Sequence, residues 1–95
     1  MPRPVDDDVQ VDLYSSAFCE PCRVTRGRLD EAARLVPAAR VRDRDVAAFP
    51  DEAELDGIRV TPTVVVRDDA GREVFRAEGV PSLPQLLVAM AKAVA

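Results

Sequence analysis

The sequence predicts a single α/β domain whose elements follow the order β-α-β-α-β-β-α. Apolar and polar residues alternate over 9–14, which is typical of a strand with one buried face. A stripe of helical period follows over 20–36, and the valine run 64–66 then leads into a turn and another strand. A chain of 95 residues provides for one hydrophobic core, so a second domain is not expected.

The first half is predicted to form a strand, a helix and a second strand. The strand covers residues 9–14, and the helix runs from Cys19 or Glu20 to about residue 36. Pro37 ends the helix because it cannot continue the hydrogen-bonding pattern. Residues 39–45 form a weaker strand signal, since arginines interrupt the apolar pattern.

The second half is predicted to form a short helix, a hairpin and a last helix. Pro50 suits a first helical turn and Gly57 a helix end. Ser82 is expected to cap the last helix. The predicted elements are a helix at 50–55, strands at 63–67 and 72–78, and a helix from 83 to 94. The expected buried stripe of that helix is Leu83, Leu86, Leu87, Met90 and Val94.

Composition excludes several functions. A formal charge of −4 and a pI near 4.7 argue against nucleic-acid binding, which favours a basic stripe. No apolar run is long enough to cross a bilayer, and no export signal precedes residue 9. Residues 1–8 are expected to be a flexible tail and 9–95 the folded domain. We expect a cytoplasmic protein, because the sequence shows no export signal. We also expect a monomer, because nothing in the sequence demands a dimer.

The two cysteines form the motif Cys19-Glu20-Pro21-Cys22 at the junction of the first strand and helix. This spacing puts one sulfur at the helix N-terminus and the other one turn further in. Two thiols in this setting usually perform reversible redox chemistry. The alternatives are a fixed disulfide, which a reducing compartment disfavours, or half of a metal site. With no histidine and two cysteines, closed zinc coordination would need a second chain or carboxylates.

Three segments of the chain resemble the thioredoxin superfamily. They are Phe18-Cys19-Glu20-Pro21-Cys22-Arg23, the stretch Gly57-Ile58-Arg59-Val60-Thr61-Pro62-Thr63, and Gly79-Val80-Pro81-Ser82. The second resembles the family's cis-proline segment, and the third resembles the region where the family has a glycine before its last helix. The resemblance implies a short thioredoxin-like fold with a four-stranded mixed sheet, ordered second-first-third-fourth, and helices on both faces.

The resemblance also implies a thiol–disulfide oxidoreductase that reduces protein disulfides. Cys19 would be the nucleophile, because the backbone N–H groups and dipole of the helix N-terminus favour its thiolate. Cys22 would be less exposed and would resolve the mixed disulfide. No metal or organic cofactor is expected, since the electrons reside on the two sulfurs. The implied partners are disulfide-containing proteins and a reductase or low-molecular-weight thiol that restores the dithiol.

A substrate groove is expected beside the cysteines. The resemblance implies that the Thr61–Pro62 bond is cis and that the Thr61 backbone pairs with an extended substrate segment. Phe18 would form an apolar wall, with ordinary core packing as the alternative. The other residues expected to shape the groove are Pro21, Gly79 and Val80.

Two charged residues are expected to tune the cysteines. A carboxylate at Glu20 opposes the Cys19 thiolate and so raises the pKa of that thiol, which favours a reductant. Arg23 would offset this effect in part. The alternative is that Glu20 and Arg23 are solvated charges in the first helical turn.

One position departs from the thioredoxin pattern. Many thioredoxins carry a buried aspartate where this chain has Leu13. Asp12 is adjacent, but its side chain is expected on the other face of the strand. Water or Glu20 would then have to assist the deprotonation of Cys22.

Three alternatives to a protein disulfide reductase remain open. One is a glutaredoxin-like enzyme for small mixed disulfides, since Leu13-Tyr14-Ser15 resembles the glutaredoxin opening. The Gly-Gly and following Asp with which such proteins hold the small thiol are absent after Val66. Another is a non-catalytic binding module switched by its disulfide. The third is the metal-binding module considered above.

Overall fold

The computed structural model describes residues 8–94, which form one four-stranded sheet with helices on both faces. The predicted element order is confirmed. The strands are β1 (Val9–Ser15), β2 (Ala39–Asp45), β3 (Thr63–Arg67) and β4 (Glu73–Glu78). The helices are α1 (Glu20–Leu35), α2 (Pro50–Leu55) and α3 (Leu83–Val94).

The strand order is β2-β1-β3-β4, as predicted. β1 is parallel to β2 and antiparallel to β3, and β3 is antiparallel to β4. Because α1 connects two parallel strands, the carboxyl ends of β1 and β2 lie at the same edge of the sheet. The two cysteines follow β1 at this edge.

The alternation of β1 divides the core between the two faces of the sheet. Leu13 is fully buried in the larger cluster, with α1 and α3. Tyr14 points to the other face, where it packs with Ala53 of α2 and Val65. The larger cluster consists of Val9, Val11, Leu13, Leu29, Ala32, Val64, Val66, Leu86, Ala89, Met90 and Ala93.

The buried stripe of α3 differs from the prediction at its end. Val94 was expected inside, but its relative exposure is 42 %, and Ala93 is buried instead. Successive residues on a helix differ by about 100° around the axis, so Val94 turns away from the sheet once Ala93 faces it. The buried residues of α3 are Leu86, Ala89, Met90 and Ala93.

The start of α3 is set by a reciprocal pair of hydrogen bonds. The Gln85 N–H donates to Ser82 Oγ at 3.2 Å, and the Ser82 N–H donates to Gln85 Oε1 at 2.8 Å. This capping box satisfies backbone donors that the helix leaves unpaired. The cap at Ser82 is therefore confirmed, and it determines where the preceding loop ends.

Only the last residue of the predicted tail is described. Asp8 Oδ1 lies 3.8 Å from Arg40 Nη2. The rest of the predicted tail, residues 1–7, lies outside the described residues. Within residues 8–94, no helix has the length and apolar character needed to cross a membrane.

Candidate functional site

The two cysteines lie at the N-terminus of α1 and are joined by a disulfide. Cys19 is the N-cap residue, and its Cα lies 5.2 Å from that of Cys22. The Cys22 N–H points to Cys19 Sγ at 3.1 Å. Cys22 is buried, with 1 % of its surface exposed, whereas Cys19 is partly exposed. Cys19 therefore carries the sulfur that a partner reaches first.

Cys19 lies between a helix N-terminus and a charged pair. An N-cap sulfur receives the first N–H groups of the helix and lies at the positive end of the helix dipole. Glu20 is fully exposed and bonds to Arg23, with Nε 3.1 Å from Oε1 and a second contact from the other guanidinium arm. These hydrogen bonds hold the pKa of Glu20 below its ordinary value. The adjacent negative charge thus has a positive partner one turn along.

The loop before β3 is tied to the loop before Cys19. The Thr61–Pro62 peptide bond is cis, and Pro62 is buried. The hydroxyls of Ser16 and Thr61 are 2.8 Å apart, which is a hydrogen bond. Two segments 45 positions apart in the sequence are therefore joined at the loop that leads to Cys19.

The glycine segment before α3 completes this arrangement. The Gly79 N–H donates to the Pro62 carbonyl at 2.9 Å. Gly79 has φ of 101°, a conformation that L side chains rarely adopt, and a Cβ there would meet no atom within 4 Å. Backbone conformation rather than crowding therefore favours glycine. Val80 follows with 40 % of its surface exposed, next to the cis-proline loop.

Phe18 lies at the tip of the loop before Cys19. Its relative exposure is 107 %, so the alternative that it packs in the core is wrong. Its φ is 55°, in the left-handed region that is uncommon for a bulky residue. The Phe18 ring is therefore held out in solvent by its loop and packs against no part of the core.

Several polar residues around the cysteines were not predicted. Ser15 Oγ donates to Asp43 Oδ1 at 2.7 Å, and Arg26 Nε donates to Asp43 Oδ2 at 2.5 Å. Arg28 Nη1 donates to the carbonyl of Pro81 at 3.0 Å. The sequence did offer a signal for Asp43, which lies at the carboxyl end of β2. Parallel pairing brings that end beside the carboxyl end of β1, where the cysteines follow.

The side chain of Asp12 is buried on the opposite face of the sheet from that of Leu13, as predicted. Only 2 % of Asp12 is exposed, and its carboxylate accepts a 2.8 Å hydrogen bond from Arg42 Nε. A second arginine, Arg67, lies 3.7 Å from the other oxygen. These partners compensate for the burial of the charge. The Asp12 carboxylate thus belongs to the network near α2, on the opposite sheet face from Leu13.

The metal-binding alternative has no candidate ligand cluster in the described part. Among residues 8–94, no three or more His, Cys, Asp or Glu side chains are grouped to hold an ion. The two sulfurs are bonded to each other.

Comparisons with known proteins agree with this geometry. A thioredoxin of Chlamydia muridarum is 30 % identical over 84 residues, which cover 88 % of this chain and 80 % of that protein. The structure of a mutant thioredoxin from Halobacterium salinarum superposes with a TM-score of 0.84 at 24 % identity, covering 95 % of this chain and 78 % of that one. The germline-specific thioredoxin Deadhead of Drosophila melanogaster gives 0.78 at 27 % identity, covering 92 % and 82 %. No family model matches the chain.

Proposed function

Since the chain belongs to the thioredoxin superfamily of thiol–disulfide oxidoreductases, we propose that it is a protein disulfide reductase. The observation that carries this proposal is the asymmetric pair at the start of α1. Cys19 is partly exposed at the helix N-terminus, and Cys22 is buried within bonding distance. One sulfur is accessible to a partner and the other is placed to release it.

The reaction needs two exchanges of sulfur–sulfur bonds. The Cys19 thiolate attacks one sulfur of the substrate disulfide, the substrate bond breaks, and the departing thiolate takes a proton from solvent. Cys22 then gives its proton to solvent, and its thiolate attacks Cys19 Sγ. The mixed disulfide breaks, and the second substrate thiol leaves. Two electrons have passed to the substrate, and the Cys19–Cys22 disulfide remains.

The groove that holds the substrate is formed by three segments. The backbone of Thr61 pairs with an extended stretch of the substrate, and Pro62 keeps that backbone facing the cysteines. The hydrogen bond between the Ser16 and Thr61 hydroxyls and the bond from the Gly79 N–H to the Pro62 carbonyl support this proposal, because they hold the segments together. Phe18, Pro21, Gly79 and Val80 shape the remaining walls.

Glu20 and Arg23 adjust the reactivity of Cys19. The carboxylate of Glu20 raises the pKa of the thiol, and the guanidinium of Arg23 reduces that effect by pairing with it. The balance leaves a thiolate that is available for attack without making the reduced form so stable that the protein becomes an oxidant.

The proposed working unit is a monomer comprising residues 9–95, in the cytoplasm. It uses no metal or organic cofactor, and a reductase or low-molecular-weight thiol returns two electrons to the disulfide. The acidic balance of the chain supports protein rather than nucleic-acid partners.

Insulin reduction with dithiothreitol as donor tests this function. Wild type should strongly accelerate the reduction, and Cys19→Ser and Cys22→Ser should each abolish the acceleration. No acceleration by wild type over dithiothreitol alone would refute a general reductant. Cys22→Ser that still reduces small mixed disulfides at the wild-type rate would instead indicate a glutaredoxin-like enzyme.

A further inference from the structure

A second depression lies on the β2 side of Cys19. It is an open cleft of about 700 Å³ between the loop before α1 and the end of β2. Phe18 and Phe49 form its apolar walls, and Asp43 and Asp45 line its β2 side. The cleft does not include the groove residues that lie outside the Cys19 loop, which are Thr61, Pro62, Gly79 and Val80. The cleft and the proposed groove therefore share the Cys19 loop and differ in their other walls.

The cleft exposes an unusual share of the chain's aromatic surface. The sequence contains three phenylalanines, and two of them line this cleft. Phe18 is fully exposed, and Phe49 has a relative exposure of 36 %. An aromatic ring buries a large apolar area when a partner covers it. Two such rings beside a reactive sulfur therefore form a hydrophobic contact surface for a partner side chain.

The charges of the cleft favour a cation. Glu20 pairs with Arg23, and Asp43 pairs with Arg26, so these four charges cancel in two pairs. Asp45 adds a further carboxylate, which accepts the Ala47 N–H at 2.8 Å. The lining thus has three carboxylates and two guanidinium groups, a net charge of −1.

One further cation lies close to the cleft and has its own partners. The Arg44 guanidinium lies 4.9 Å from the centre of the Phe49 ring. It also pairs with Glu52 at 3.4 Å, so its charge is balanced within that pair. The excess negative charge at the cleft therefore remains that of Asp45, and it attracts a positive substrate group.

We propose that this Phe18–Phe49 cleft binds the substrate segment on one side of its reactive cysteine and prefers a lysine or arginine near an apolar residue there. The inference rests on the proposed reductase function and adds substrate selectivity to it. The segment on the other side of the cysteine lies in the cis-proline groove. The cleft and the groove together bind the substrate chain on both sides of its reactive cysteine.

The test uses symmetric peptide disulfides and stoichiometric reduced protein, so that no other reductant contributes. Each peptide carries one cysteine, an apolar neighbour, and Lys, Gln or Glu two positions before or after the cysteine. Rates come from acid quenching and chromatography. Lys should exceed Glu by about 3- to 10-fold on one side of the cysteine only. The preference should shrink in 0.5 M NaCl, since salt screens exposed charges.

Two variants with matched controls locate the preference. Asp45→Asn retains an oxygen for the Ala47 N–H but removes the charge, so the Lys preference should fall at least twofold. Asp69→Asn removes a charge from the exposed turn after β3 and should leave the Lys preference unchanged. Phe49→Ala should slow every peptide with the apolar neighbour by about threefold, whereas Val88→Ala, which shortens an exposed side chain on α3, should not.

The outcomes separate this proposal from the function on which it rests. Equal rates for Lys, Gln and Glu in a protein that reduces insulin would overturn the cleft proposal and leave the reductase standing. A preference on both sides that responds equally to Asp45→Asn and Asp69→Asn would reflect overall charge and would also overturn it. Failure to reduce either insulin or any peptide would refute the proposed function, and the cleft proposal with it.

Discussion

At the residue scale, Phe18 combines a fully exposed ring with φ of 55°. A left-handed conformation costs an L residue roughly 1–2 kcal/mol, and a solvated ring recovers none of it by burial. The residue therefore lowers the stability of the fold, a cost that its proposed role as a wall of the substrate site would explain.

Phe18→Asn should stabilise the oxidised protein and weaken its action on proteins. Asparagine tolerates the left-handed conformation, so the free energy of unfolding should rise by about 0.5–1 kcal/mol in urea titrations. The kcat/KM for insulin should fall about threefold or more as the ring is lost. Phe18→Leu retains the unfavourable φ and should not stabilise; a gain there equal to that of Asn would contradict the argument.

The pair of Glu20 and Arg23 makes a separate prediction about the pKa of Cys19. Arg23→Met removes the positive partner of Glu20, so the carboxylate opposes the thiolate without compensation and the pKa should rise. The pH dependence of iodoacetamide alkylation, measured with Cys22→Ser in every protein, checks this. Adding Glu20→Gln should reverse the shift. An unchanged profile in both would show that these charges are merely solvated.

At the element scale, α1 contacts the loop that carries Val80. Arg28 Nη1 donates to the Pro81 carbonyl at 3.0 Å, while the Gly79 N–H donates to Pro62. The loop is thus held from α1 on one side and from the cis-proline segment on the other. Such contacts determine where a groove wall stands, and small displacements there reduce productive binding.

Arg28→Met should therefore impair binding of protein substrates more than chemistry. The KM for insulin should rise about 3- to 10-fold with kcat within about twofold, because the loop loses one support. Reaction with a small aromatic disulfide, which needs only Cys19, should stay at the wild-type rate. Arg34→Met, on the last turn of α1, is the control. An equal loss on both kinds of disulfide would show general destabilisation instead.

The C-terminal cap of the short helix α2, Asp56, is attached to the sheet by a partly buried polar contact. Tyr14 Oη donates to Asp56 Oδ2 at 2.5 Å, and Arg67 Nη2 donates to Asp56 Oδ1 at 2.6 Å. Burial favours the neutral form of Asp56, but the hydrogen bonds from Tyr14 and Arg67 outweigh it and lower the pKa. Burial and the same hydrogen bond raise the pKa of Tyr14.

This contact predicts acid sensitivity. Because the pKa of Asp56 is lower in the folded state, its stabilisation is present above the unfolded value near 4 and is lost as pH falls through the folded value. Asp56→Asn should cost about 1–2 kcal/mol of unfolding free energy at pH 7. The difference from wild type should shrink towards pH 2–3. A cost independent of pH would indicate lost packing rather than lost charge.

At the scale of the whole molecule, residues 8–94 contain a closed core. The larger cluster joins the two central strands, β1 and β3, to both long helices, and the smaller one joins the other sheet face to α2. Burial of this kind is the main favourable term in the stability of a small domain. The expected domain, which starts at residue 9, therefore has its stabilising contacts within itself.

Removal of residues 1–7 should accordingly leave the protein folded. The free energy of unfolding should change by less than about 0.5 kcal/mol, the usual range for surface changes, and the insulin rate should stay within twofold. Urea titration and the insulin assay measure both. A loss of several kcal/mol would show that the first residues cover part of the core.

Local signals accounted for most element boundaries. The predicted ranges of β2, α2 and β3 agree with the structure residue by residue, because alternation, Pro50 and Gly57 act over a few positions. The range of α3 also agrees, but the predicted burial of Val94 was wrong, since the direction of a terminal residue depends on how the helix is rotated against the sheet.

The candidate site divides in the same way. The cysteine pair could be found from the sequence because its four residues are contiguous, and Pro62 because its segment resembles a family motif. The Ser16–Thr61 and Arg28–Pro81 contacts join residues 45 and 53 positions apart, so no local pattern marks them. The exposure of Phe18 also could not be read, since an aromatic residue suits a core equally well.

By itself the sequence determined the fold class, the order of the elements and the redox motif, because these follow from periodicity, from breakers of helix and strand, and from the spacing of two thiols. Only the tertiary structure decided which surfaces adjoin Cys19. Parallel pairing of β1 with β2 brings Asp43 and Asp45 to one side, and hydrogen bonds join the loop before β3 both to the Cys19 loop and to the loop before α3. Such neighbours depend on how distant segments pack, and packing is a property of the whole chain.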